Sequence, residues 1–82
     1  MAKAKPTQKE ILDPRLEKVG QKIKDLRIKK GYTSYEQFAF DHNIPRSGYG
    51  DHENGKNMTL SSLIRLLDIH GLSLKEFFKE FK

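Results

Sequence analysis

Residues 34–55 read SYEQFAFDHNIPRSGYGDHENG, and the order of residue types there sets the expected fold. Ser34, or Thr33 before it, offers a hydroxyl to cap a helix, and Glu36 or Gln37 can return a bond to the cap, as in a capping box. Phe38 and Ala39 supply the inward face. After Asp41-His42 comes Asn43, one of the few non-glycine residues that readily adopts left-handed dihedrals, as a helix C-terminus requires. Ile44-Pro45 follows at once: the proline disfavours α dihedrals at Ile44 and can itself open a new helix. Two helices joined by so few residues must turn sharply, as in a helix-turn-helix. The second of them is weak on propensity, because Gly48 and Gly50 each cost about 1 kcal/mol relative to alanine in a helix interior. Packing through Tyr49 has to hold it, and Gly55 ends it.

Upstream, Asp13-Pro14 is a helix start, an N-cap followed by the imino acid tolerated at the first helical position. Leu16, Val19, Ile23 and Leu26 recur at helical spacing until Gly31, and Lys29 and Lys30 suit the negative end of the dipole, which predicts a helix over residues 14–30. Downstream, Asn57 or Thr59 can cap a helix with Leu60, Leu63, Ile64 and Leu67 on one face, stopping near Gly71. Ser73-x-x-Glu76 is a second capping-box pattern, and Leu74, Phe77, Phe78 and Phe81 form the stripe behind it, with a protruding ring suited to a dimer contact. No alternating strand pattern occurs. The expected fold is all-α, a compact five-helix bundle over residues 14–82. Residues 1–13, with Lys3, Lys5 and Lys9, read as a flexible basic tail, either solvated or following a nucleic-acid backbone as an arm.

An 82-residue chain has room for one small core and not for a large catalytic cleft. Its net charge of +5 favours an anionic partner: nucleic acid, an anionic membrane surface or an acidic protein. With no cysteine there is neither a disulfide framework nor a thiolate zinc site. No stretch has the apolar length of a signal peptide or a membrane span, so a cytoplasmic location without membrane association is expected. His42, His52 and His70 share no ligand spacing, and the acidic run from Asp41 to Glu53 lacks the pattern of a calcium loop. Gly48-x-Gly50 is no dinucleotide fingerprint, and nothing orients a nucleophile against a base. No enzyme, metal or cofactor is expected.

The pieces VGQKIKDLRIKKG (residues 19–31), SYEQFAFDHN (34–43), IPRSGYGDHENGK (44–56) and TLSSLIRLLDIHGLSLKEFF (59–78) occur in the order and spacing of a known class. The chain resembles the Cro and phage-repressor helix-turn-helix regulators, also called the xenobiotic-response-element-like family, from Val19 to Phe78. The Tyr32-Thr33-Ser34-Tyr35 lead-in resembles a subgroup common in Bacteroidetes. The resemblance implies a repressor-like DNA-binding domain whose third helix enters the major groove, with a homodimer on double-stranded DNA reading two half-sites. It implies a transcription regulator that acts by occupying an operator. By position it places Arg46, Ser47 and Asp51 as base readers and Tyr35, Asn54, Lys56 and Asn57 as backbone contacts. Arg27 and Glu53 fall where an ion pair joins the first and third helices.

The chemistry at these positions is uneven. Arg46 can donate its planar fork to O6 and N7 of guanine, or serve a phosphate. Ser47 can contact several bases, and Asp51 either accepts from cytosine N4 or simply faces solvent. Gly48 and Gly50 replace longer residues and suit either close approach to DNA or an irregular helix. His42 and His52 stand where the family usually has an aliphatic or aromatic side chain. These glycines and Asp51 also suit a second reading, a protein-interaction module of the same fold, antitoxin-like or adaptor, with weak or no specific DNA binding.

Overall fold

The computed structural model describes residues 13–79 and residue 81; the proposed arm residues Lys3, Lys5 and Lys9 lie outside them. Asp13 caps the first helix, α1 (Pro14–Lys29), by accepting from the Arg15 amide at 2.8 Å, with Pro14 in the first turn. The Arg15 side chain bonds the same carboxylate and holds it down to about 2. The helix ends at Lys29, one residue before the expected end, with Lys30 as its C-cap.

Helix α2 (Tyr35–Asp41) starts on Ser34, whose Oγ accepts from the Gln37 amide at 3.2 Å. The Gln37 side chain does not return to the cap as expected. It extends forward and donates Nε2 to Asp41 Oδ1, while Tyr32 Oη donates to Oδ2. Both bonds favour the ionised carboxylate and hold Asp41 below the usual range.

Asn43 takes the left-handed conformation, φ 62°, and the Ile44 amide closes on Ala39 O at 2.8 Å. Arg65, far along the chain, donates to Asn43 O at 3.0 Å and ties the turn to the next helix pair. Helix α3 (Arg46–Glu53) then begins directly after Pro45 and ends before Gly55, whose φ of 88° a side chain would strain.

Thr59 caps α4 (Leu60–His70) by accepting from the Ser62 amide, and Gly71 at φ 69° ends it. Helix α5 (Leu74–Phe78) opens with a complete capping box: Ser73 N donates to Glu76 Oε1 at 2.8 Å, and Glu76 N to Ser73 Oγ at 3.0 Å. The fold is therefore all-α, with five helices and no strand among the described residues. No described helix is long and apolar enough to cross a membrane.

The core joins Ile23 of α1, Phe38 and Ala39 of α2, Tyr49 of α3, Leu63, Leu66 and Leu67 of α4, and Phe77 of α5. Phe38 is its centre, 5.1 Å from the Tyr49 ring and stacked on His70 at 5.5 Å. Each of the core's buried leucine, isoleucine and phenylalanine side chains contributes roughly 1.5–3 kcal/mol.

Two faces differ from expectation. Helix α4 buries Leu63, Leu66 and Leu67, while Leu60 is 69% and Ile64 42% exposed. The helix carries two overlapping apolar stripes, and the core takes the one containing Leu66. In α5 only Phe77 is fully buried; Leu74 and Phe78 keep about two-fifths of their surface exposed, 44% and 39%.

Candidate nucleic-acid interface

Helix α3 is built to be held from behind. Tyr49 is fully buried, and Glu53 at its end receives a two-pronged bond from α1: Arg27 Nε to Oε2 at 2.7 Å and Nη2 to Oε1 at 3.0 Å. Both side chains are nearly inaccessible, 5% and 7% exposed, and Arg27 Nη1 also donates to Tyr32 O at 2.9 Å. The bond to Glu53 raises the guanidinium pKa further above its ordinary value. The Tyr49 hydroxyl faces the pair without a well-formed hydrogen bond; burial first, then the neighbouring carboxylate, pushes its pKa up.

A third attachment, missed in the sequence, is a close backbone approach at Gly20. A Cβ on Gly20 of α1 would lie 2.7 Å from both Glu53 O and His52 O and 2.9 Å from Gly55 N. Glycine is what lets α1 press against the last turn of α3. A glycine inside an otherwise regular helix pattern, away from any turn, was the available hint.

With Tyr49 and Glu53 turned inward, helical spacing turns Ser47, Asp51 and Asn54 to the other side, with Gly50 on the flank; Arg46, three residues before Tyr49, shares the inward stripe and is exposed because it opens the helix. Arg46 occupies the first position, its side chain 72% exposed, with Nη1 3.7 Å from Glu36 Oε2. Ser47 is exposed, and Asp51 is partly exposed with Lys56 Nζ 3.6 Å from its Oδ1. Asn54 is the C-cap of α3, and Lys56 and Asn57 follow it in an exposed loop. Tyr35, first residue of α2, lays its ring over Gly50: a Cβ there would meet Cε1 at 3.0 Å. The structure thus brings Tyr35 to Gly50, Glu36 to Arg46 and Lys56 to Asp51. Sequence reasoning missed Glu36 as a charge partner, because only the turn geometry brings α2 to the start of α3.

The two unusual glycines separate. Gly50 has a neighbour inside the protein, the Tyr35 ring, whereas a Cβ on Gly48 would meet nothing within 4 Å. Gly48 borders a shallow groove shared with Ile44, Pro45, Ser62 and Arg65.

All three histidines have one buried nitrogen without a partner: His42 Nε2, His52 Nδ1 and His70 Nε2. Burial lowers the pKa of His52 against the opposing pull of Asp51. Burial, then Lys30 and His42, lowers that of His70. No group of three or more metal-ligating side chains occurs among the described residues.

The chain is similar to control protein C.MunI of Mycoplasma sp, 36% identical over 64 residues that cover 77% of this chain and 86% of the relative. No protein-family profile matches. No solved structure matches either.

Proposed function

This chain belongs to the family of small Cro-type helix-turn-helix transcription regulators that includes control protein C.MunI, and on that premise we propose how it reads its operator. It is a DNA-binding regulator; the assignment of individual residues is our inference. Helix α3 enters the major groove with Arg46 as the principal base reader, donating to a guanine edge. Ser47 and Asp51 are secondary readers, and Tyr35, Asn54, Lys56 and Asn57 hold the flanking phosphates. The observation that carries this reading is the contrast within α3: a rear clamped by Tyr49 and the Arg27–Glu53 pair, and an open first turn and outer face where Arg46 and Ser47 are exposed.

The protein acts by occupancy in the cytoplasm, without a catalytic step, cofactor or metal. Two copies bind two half-sites about one helical turn apart. Support for pairing comes from Leu60 and Ile64, spaced on one stripe of α4, and Leu74 and Phe78, spaced on one stripe of α5, all of them partly open to solvent. A control protein of a restriction–modification system is the concrete role that the relative suggests. The lead-in from Tyr32 to Tyr35 supports the narrower Bacteroidetes-like subgroup.

The test is a residue-resolved titration with random and selected duplex DNA at two salt concentrations. Resonances of Tyr35 and of residues 45–57 should move, and affinity should fall steeply with salt as counterions are released. If they stay in place with duplex in excess at low salt, α3 is not the reading helix, and the protein-interaction role becomes the better reading. Light scattering of the wild type and of Ile64→Glu checks pairing: a wild type that remains monomeric both free and on DNA refutes the two-half-site arrangement.

A further inference from the structure

We propose that Glu36 is a specificity-determining positioning residue, holding Arg46 outward for a guanine edge while making its use on phosphate unfavourable. The proposal rests on the reading role of Arg46 stated above and adds a partner to it. The chain carries a net charge of +5, yet the cations at the two ends of α3 stand beside carboxylates. There, Arg46 and Lys56 stand against Glu36 and Asp51, two cations beside two carboxylates, at 3.7 and 3.6 Å. Both separations are too long for hydrogen bonds, and both pairs are exposed, so they exchange readily for a better partner.

Which partner is better follows from charge and from the shape of the guanidinium. Guanine presents two neutral acceptors, O6 and N7, and takes two of the five N–H groups of Arg46. The remaining donors stay free for the Glu36 carboxylate, which then braces the side chain in its reading orientation. A phosphate carries a full negative charge. Bringing it to Arg46 puts two anions on one cation, and their repulsion reduces the gain. Glu36 therefore lowers binding to arbitrary DNA more than binding to a site with guanine at that position.

The decisive measurement is a double-mutant cycle on DNA affinity, with Glu36→Gln made in the wild type and in Arg46→Ala. Each protein is titrated with a random duplex and with a duplex selected in vitro by the wild type. In the wild-type background the substitution should tighten random-duplex binding roughly two- to fivefold, the range expected for an exposed ion pair. Selected-duplex binding should not tighten, so the ratio of the two affinities falls. In the Arg46→Ala background the ratio should not change. An unchanged ratio in the wild-type background, or an equal change in both, overturns the proposal, since the second outcome is general repulsion by Glu36 and not an action through Arg46. A wild type that does not discriminate between the duplexes refutes the operator-reading role itself.

Discussion

Replacing Gly20 by alanine opposes two effects of different sign. Alanine is the better helix former by about 1 kcal/mol, so helix propensity alone makes Gly20→Ala stabilising. The added methyl, however, would lie 2.7 Å from two backbone carbonyl oxygens of α3 and 2.9 Å from the Gly55 amide nitrogen. None of these is the end of a flexible side chain. Relief requires α1 and the last turn of α3 to separate, against the Arg27–Glu53 bond that joins them at 2.7 and 3.0 Å. Overpacking of this kind costs about 1–3 kcal/mol, and rigid backbone neighbours put it at the upper end. After the propensity gain, a net loss of about 2 kcal/mol remains, which lowers the melting temperature by roughly 10 °C in a domain of this size. Thermal unfolding followed by circular dichroism measures it. A variant as stable as the wild type, or more so, would show that the close approach of α1 to α3 is not real, and with it the account of how α3 is held.

Gly48→Ala should behave in the opposite way, raising stability by about 0.5–1 kcal/mol, because its Cβ enters open space in a helix interior; a loss in the same melting assay contradicts the position given to α3. Glu53→Gln should cost about 3–5 kcal/mol in denaturant unfolding by leaving Arg27 charged and buried. Exchanging both partners for apolar residues should cost much less, and equal losses would contradict the ion-pair account. Ser73→Ala should cost about 1 kcal/mol, the loss of the cap on α5. For pH, His52 and His70 have folded pKa values below the ordinary 6.5, so the unfolded chain binds more protons as pH falls through that value. Their contribution is complete above about pH 7 and is lost on acidification. The melting temperature should drop between pH 7.5 and 5.5, and less steeply in His70→Gln; a flat or rising trend over that range contradicts the burial of these rings.

Much of the fold was legible because its boundaries are local. Asp13-Pro14, Ser34, Thr59 and Ser73 with Glu76 stop or start helices through bonds spanning two or three residues, and the same holds for Asn43 at φ 62°. That Arg46, Ser47 and Asn54 along α3 are exposed was readable for the same reason: it follows from their places on one short helix. The face of α4 was not. Leu60, Leu63, Ile64 and Leu67 form as regular a stripe as Leu63, Leu66 and Leu67, and periodicity cannot choose between two stripes on one helix. The core chose the one that packs around Phe38 and Phe77.

The sequence by itself thus determined where each helix begins, that the second and third are joined by a tight turn, and that Arg46 stands at the start of the third. These depend on interactions within a few residues of chain. Only the tertiary structure decided that Gly20 is a contact point, that Gly50 makes room for Tyr35, and that Arg46 faces Glu36. Those are distances between separate helices, set by how the faces pack. A few tenths of an ångström there separate a fitting glycine from a clashing alanine, and no local pattern records them.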